Sequence, residues 1–268
     1  QAYEPCDVGV IIGNAFASNP SKTKLAHYKV REMVINEQQS RNLYWVSIDS
    51  NVFIYKDRAN PHRYLRYSFN GVFPRTGIYC NDNPGDENWN NIKRDYNMDL
   101  KPWRSTGNHI LITLQRPMGW SMRGYNLMDW LQSTFAKIRQ HSDRPIVIRW
   151  HPGDWKNYPK YDDILKQYNA TISPQERHIT EDLVGCWALI CHNSTPSSVA
   201  SIEGVPAFIT DDPGYCQAGS IANTDLSCIE NPNLPDRELW IKQLAQCHWS
   251  FADLRSGRCW AHMRQWVA

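Results

Sequence analysis

No run of apolar residues in the chain approaches the roughly 20 that a membrane-crossing helix needs, so a helical span is excluded. The glycine-rich Walker loop and the Gly-x-Gly-x-x-Gly fingerprint are both missing, which sets aside P-loop NTPases and ordinary NAD enzymes. There is no Gly-x-Ser-x-Gly elbow of the hydrolase type. None of the eight cysteines stands in a Cys-x-x-Cys pair, and no Cys/His cluster has zinc spacing, so no metal is expected. Repeats at solenoid periods and low-complexity stretches are absent as well. Net charge is small, +2, and names no class of partner. The first residues do not read as a secretory-type leader, and none is expected. Several cysteines sit among apolar residues, as Cys186 and Cys191 do around Trp187-Ala188-Leu189-Ile190. Reduced, buried thiols in a cytoplasmic protein are the expectation.

What is present is alternation. The 268 residues suffice for one large domain or two small ones. Asp7-Val8-Gly9-Val10-Ile11-Ile12-Gly13 reads as a buried strand, and Ser18-Asn19-Pro20-Ser21 as helix-start chemistry for a helix reaching about Gln38. Leu43–Ile48 is a second strand, ending at Asp49-Ser50-Asn51. Residues 52–100 read as short strands and loops with turn signals at Asn70-Gly71 and Asn83-Pro84-Gly85. Further on, strands are expected at 110–114, 145–148, 187–191 and 207–210. Leu127, Leu131, Phe135 and Ile138 form a helical stripe, and shorter helices follow at 161–168 and 197–203. Helices over about 236–246 and 257–266 close the chain. Strand–helix alternation predicts parallel units and an α/β protein. The favoured architecture is two Rossmann-like lobes facing a cleft, residues 1–105 and 106–268, with the last helices closing the second lobe. A single larger doubly wound domain is the alternative.

In open α/β sheets, ligands bind beyond the carboxyl ends of the strands. Those ends in the second half carry Gln115-Arg116-Pro117, Arg149-Trp150-His151-Pro152, His192-Asn193-Ser194-Thr195 with Ser197-Ser198, and Asp211-Asp212. The hydroxyl-rich loop 194–198 feeds a helix, whose free N–H groups and dipole favour phosphate. Ser194 or Ser197 can equally serve as a plain N-cap. His151 can donate to a phosphate oxygen or polarise a leaving group, and Arg116 is a natural phosphate partner. Glu203, at the end of the short helix, can accept from the two hydroxyls of a ribose, or stand exposed at a helix end.

Taken together, His151-Pro152, the hydroxyls of Ser194, Thr195, Ser197 and Ser198, and Glu203-Gly204-Val205-Pro206 resemble the donor half of GT-B glycosyltransferases. The His-Pro and Ser-Ser combination is similar to bacterial sialyltransferases and capsule Kdo transferases. That resemblance implies donor-phosphate contacts from His151, Ser194, Thr195, Ser197 and Ser198, and a ribose contact from Glu203. Arg116 and His192, at neighbouring strand ends, are added as donor-binding candidates on their position and chemistry. The chain also looks like phage-encoded glycosyltransferases, some of which decorate modified bases in DNA, through Arg144–Arg149, His192-Asn193-Ser194 and Ile202-Glu203-Gly204. The acidic base motif of sialyltransferases is absent from the first half. Asp49, at a strand end there, is the expected base, with His151 also in a catalytic role.

Residues 56–75 hold Lys56, Arg58, Arg63, Arg66 and Arg75 against Asp57 alone, interleaved with Tyr55, Tyr64, Tyr67, Phe69 and Phe73. Such a segment can grip a polyanion and stack on bases, or be a solvated strand pair whose arginines cover apolar surface. The functional expectation is a metal-independent glycosyltransferase using a UDP- or CMP-sugar. Its acceptor would be a hydroxymethylated base in DNA, contacted by Arg58, Arg63, Arg66 and Tyr67. The rivals are a saccharide-directed transferase of the capsule or sialyl type, a sugar-nucleotide epimerase, and a non-catalytic nucleic-acid-binding module.

Overall fold

The computed structural model describes residues 3–14, 25–56, 59–60, 62–117, 120–153 and 161–267. The expected helix start at Ser18–Ser21, and Arg58, lie outside them. Along the chain run β1 (Val8–Ile12), α1 (Ala26–Ser40), β2 (Tyr44–Asp49), β3 (Leu65–Phe69) and α2 (Glu87–Tyr96). Next come β4 (His109–Thr113), α3 (Leu127–Arg139), β5 (Ile146–Arg149), α4 (Asp162–Gln167), β6 (Ala170–Ile172), α5 (Ile179–Asp182), β7 (Cys186–Cys191), α6 (Pro196–Ile202) and β8 (Ala207–Ile209). The chain ends with α7 (Glu238–Gln246), β9 (His248–Trp249), α8 (Phe251–Arg255) and α9 (Arg258–Met263). It divides into two compact units, Gln1–Asp99 with Glu238–Ala268, and Leu100–Arg237.

The first unit is a four-stranded sheet ordered β1-β2-β3-β9. β1 and β2 pair in parallel around α1, as a Rossmann-like lobe requires. Helix α1 approaches β1 closely because residue 9 lacks a side chain: a β-carbon at Gly9 would stand 2.7 Å from Val34 Cγ1. Beyond β2 the expectation needs correction. β3 is antiparallel to β2, and β9 antiparallel to β3. Among the described residues between β2 and β3 there is a 3-10 turn at Val52–Lys56 and not the helix that usually carries a parallel crossover.

The closing helices also belong here and not with the second lobe. β9 completes the sheet, Trp249 joins Tyr67 and Phe69 in its core, and α7 packs on α2. Asn88 fixes the join, donating to Gln246 O at 3.3 Å and accepting from Arg258 Nη2 at 2.6 Å.

The second unit is an all-parallel five-stranded sheet ordered β6-β5-β4-β7-β8. Its central strands β4 and β7 are almost wholly buried, as parallel strands covered on both faces are. The expected stripe on α3 is buried: Leu127, Leu131, Phe135 and Ile138 pack with Ile110, Ile112, Ile146, Ile148 and Ile190 in one core. From β4 the chain winds outward through β5 and β6, then returns to the other side of β4 as β7 and β8. The winding direction therefore reverses between β4 and β7, the position at which open α/β sheets bind ligands beyond the carboxyl ends.

The two ends of this unit are tied together. Arg237 is buried, stacks 3.7 Å from the Trp103 ring, and donates to Lys101 O at 2.6 Å and to Ser201 O. Gly204 has φ +80°, and a β-carbon there would run into the Pro102 carbonyl oxygen. Glycine at this position is what allows the entry segment to lie against the end of α6.

Candidate functional site

The switch point is bridged by two buried amides. Gln115 follows β4 and Asn193 follows β7; Gln115 Nε2 donates to Asn193 Oδ1 at 2.9 Å, and Asn193 N donates back to Gln115 Oε1 at 3.4 Å. Asn193 Nδ2 also donates to Ser121 O at 2.8 Å and to Asp211 Oδ2 at 2.7 Å, carrying the network to the end of β8. Asp211 accepts from Arg123 Nη1 at 2.8 Å. Gln115, Asn193 and Arg123 are functional candidates the motif reading did not assign. Their signal is positional: the first two stand immediately beyond the two strands that flank the reversal.

His151 and Arg116 come together at the ends of β5 and β4. His151 Nδ1 accepts from Gly153 N at 3.0 Å and from Arg116 Nε at 3.3 Å. Two donors on one nitrogen place the ring proton on Nε2. Burial, reinforced by the Arg116 charge, lowers the His151 pKa and keeps the ring neutral. The pair thus offers a fixed N–H donor beside an exposed guanidinium, a combination suited to a phosphate or another oxyanion.

His192 is buried, so direct donor contact needs correction: at 2% exposure it is a wall under the site. The Thr210 hydroxyl accepts from Trp130 Nε1 at 2.6 Å and lies 3.3 Å from His192 Nδ1. Nε2 faces Asp211 Oδ2 at 3.8 Å, beyond hydrogen-bond reach. The carboxylate favours a proton on Nε2, with Thr210 donating to Nδ1. Burial lowers the His192 pKa.

The loop at 194–198 is only partly as expected. Thr195 is exposed, and the buried Ser194 Oγ has no partner. Ser197 and Ser198 point inward. Ser197 Oγ donates to Ser194 O at 2.7 Å and lies 3.1 Å from Cys216 Sγ, while Ser198 is fully buried. The first-turn amides are also engaged: Ser197 N donates to Ser194 O, and Ser198 N to Thr195 O. A helix of seven residues with its first amides occupied is a weak anion site.

Glu203 is at the wrong end of α6 for ribose. The helix runs back from the carboxyl end of β7, so its last residue is about 10 Å from its first at 1.5 Å per residue. The carboxylate is buried and ion-paired with Lys101. Glu203→Gln is therefore expected to lower folding stability while changing nucleotide affinity less than twofold, as paired denaturation and titration calorimetry would show. A tenfold loss of nucleotide affinity in the folded variant would restore the ribose role.

In the first unit, the expected acceptor surface is largely interior. Arg66 is buried on β3, where it pairs with Asp49. Tyr67 is buried in the core with Val46 and Phe69. Tyr55, Tyr64 and Phe69 are buried too, so these rings cannot stack on bases without unfolding. The interleaving of arginines and aromatics reflects a strand whose one face is core and whose arginine neutralises a neighbouring strand's aspartate. Arg63 is exposed, with its guanidinium 5.8 Å from the Phe251 ring. Asp49 is no free base: one oxygen holds Arg66, and the other accepts from Ser50 N at 2.7 Å.

Among the described residues, no group of three or more His, Cys, Asp or Glu is disposed to hold a metal ion. No helix among them is long and apolar enough to cross a membrane. All eight cysteines are free thiols, six of them buried and two, Cys6 and Cys228, exposed.

No family model and no curated protein matches the chain. Solved structures do. The β-Kdo 2,7 transferase of Thermosulfurimonas dismutans KpsC aligns with a TM-score of 0.54 at 15% identity, over 90% of this chain and 75% of that one. The β-Kdo 2,4 transferase of the same organism's KpsC aligns with a TM-score of 0.51 at 12% identity, over 84% and 83% of the respective chains. At such identities the likeness is one of fold. The chain has a two-lobed α/β fold, two sheets flanked by helices, consistent with a GT-B-like architecture.

Proposed function

We propose that the protein is a glycosyltransferase that takes a sugar from a nucleotide-sugar donor, bound at the switch point of the second unit, and passes it to a saccharide hydroxyl. The observation that carries this reading is the Arg116–His151 pair, whose fixed Nε2–H and guanidinium stand at adjacent strand ends of a Rossmann-ordered sheet. In the transfer, the bond between the anomeric carbon and the phosphate oxygen breaks. The acceptor oxygen bonds to that carbon and its proton goes to a base. The nucleotide leaves as a phosphate anion that Arg116 and His151 Nε2–H stabilise. The fold neighbours, both Kdo transferases, support a capsule-type sugar over a DNA acceptor. Burial of Arg66 and Tyr67 weighs the same way.

A thermal-shift panel of CMP, UDP, GDP and TDP with their sugars tests the reading. Binding to the native state raises stability by RT ln(1 + [L]/Kd), about 2.7 kcal/mol at a hundredfold excess over Kd. CMP and CMP-Kdo are expected to shift the melting temperature upward by several degrees, and inorganic phosphate much less. No shift with any nucleotide would sink the proposal. A shift with UDP or GDP alone would keep the transferase and change the donor.

A further inference from the structure

The end of β4 leads into α3 through a turn that makes an unusual display. Arg123 has φ +50° and Gly124 φ +86°, two consecutive left-handed residues, and the first is not glycine. Such a conformation at a long side chain costs energy and persists where the surroundings hold it. The surroundings here are specific. Tyr125 N donates to Met122 O at 2.9 Å, closing the turn, and Asn126 caps α3 through bonds to Met128 N at 2.8 Å and Asp129 N at 3.3 Å.

Two side chains emerge from this braced turn. The Arg123 guanidinium is fixed twice: Nη1 donates to the buried Asp211, and its plane lies 3.7 Å from the Tyr215 ring. Its side chain remains 35% exposed, and a guanidinium has five N–H donors, of which Asp211 takes one. Tyr125 is 60% exposed, although its backbone is fixed and its ring edge meets His192 at 5.3 Å. Beneath it lies His192 Nε2, buried and without a hydrogen-bond partner. A preset cation, an open aromatic face and an orphaned buried donor thus converge beyond β7 and β8, on the far side of the reversal from Arg116 and His151.

We infer that Arg123 and Tyr125 form a sugar subsite that selects a carboxylate-bearing sugar, with the Arg123 guanidinium on the carboxylate and the Tyr125 ring against an apolar face of the sugar. The inference rests on the donor-site reading above. The phosphate lies with the β4 and β5 ends and the transferred sugar lies over the β7 and β8 ends. Planar, bidentate recognition of a carboxylate is what an immobilised guanidinium does best, and lysine does not reproduce it.

The test is titration calorimetry of the full chain with CMP and with freshly prepared CMP-Kdo, in the wild type, Arg123→Gln, Arg123→Lys and Tyr125→Ala. Tyr125 is exposed, so its variant keeps the fold even if loss of Arg123 leaves Asp211 too poorly compensated to fold. The wild type is expected to bind CMP-Kdo more tightly than CMP. Arg123→Gln and Arg123→Lys should each cut that preference at least tenfold and Tyr125→Ala about fivefold or more, with CMP affinity held within twofold in all three. Wild type that binds both ligands, with an unchanged preference in folded Tyr125→Ala and in whichever Arg123 variant folds, overturns the subsite and leaves the donor reading standing. Equal loss of CMP and CMP-Kdo affinity in Tyr125→Ala also overturns it, since the ring would then serve the nucleotide. Wild type that binds neither ligand removes the donor reading itself.

Discussion

A chain carrying both Arg116→Ala and His151→Ala is expected to bind its nucleotide at least 100-fold more weakly while remaining folded. On the proposed reading each side chain would supply one charge-assisted hydrogen bond to phosphate, worth about 1.5–3 kcal/mol, and about 1.4 kcal/mol is a factor of ten. The two are coupled, because Arg116 Nε donates to the nitrogen that keeps the His151 proton on the other side of the ring. The double variant should therefore lose less than the sum of the singles. Little structural cost accompanies it, since Arg116 is exposed and His151 half-buried. His151→Gln retains an amide donor and should recover part of the affinity. The lowered His151 pKa adds a pH signature: nucleotide affinity should not climb as the pH falls through 6.5, where an ordinary histidine would gain its charge. Isothermal titration at three pH values reads both effects. Unchanged affinity in the folded double variant would dissociate this pair from the ligand.

How much of this arrangement was open to a reader of the sequence depends on how local its causes are. The strands β4, β5, β7 and β8 are legible because parallel strands covered on both faces are continuous apolar runs. The stripe of α3 is legible because helical spacing is a local property. β6 is three residues long and escapes any window. β3 pairs with β9 across some 180 residues, and no local pattern encodes such a partner. That pairing also settles Arg66, which by composition belongs to a basic patch and by register lies opposite His248 and Asp49 in the interior. The strand ends pointed to the carboxyl edge of the second sheet, and Arg116 with His151 meet there. The direction of the serines is not legible, because a hydroxyl at a helix start can face outward or the core, and Ser197 finds its acceptor in Ser194 O. The displacement of Glu203 follows from helix direction alone. A helix that leaves the carboxyl end of one parallel strand must deliver the chain to the opposite edge before the next strand begins.

Acidification is expected to destabilise the protein through His248, with the loss starting near pH 6.5 and ending near pH 3. The ring is fully buried between β3 and α7. Nδ1 donates to Leu244 O at 2.7 Å and Nε2 accepts from Val52 N at 3.2 Å, so both nitrogens are committed to the neutral form. Burial, and then the neighbouring Arg66 charge, push its pKa from 6.5 down to about 3. Below pH 6.5 the unfolded chain therefore takes up a proton that the folded chain refuses. Stability falls as the pH falls, by up to about 1.4 kcal/mol per unit for one such proton, and the loss levels off only once the folded ring protonates near pH 3. The full span amounts to about 4–5 kcal/mol, comparable with the whole stability of a small domain. His151 and His192, whose pKa values are also lowered, add slope in the same range, so the diagnostic quantity is a difference. Carboxylates with lowered pKa values, such as Asp253 and Glu230, act below about pH 4.5, which leaves pH 4.5–6.5 to the histidines. Urea denaturation across that window should show His248→Gln less stable than wild type at pH 7, yet shallower in its pH dependence by about one proton. Identical slopes would mean that the ring is not held neutral in the folded protein. Because β9 completes the first-unit sheet through Arg66 and His248, the acid-sensitive step should expose this unit's core first, with Trp249 fluorescence reporting the release of β9.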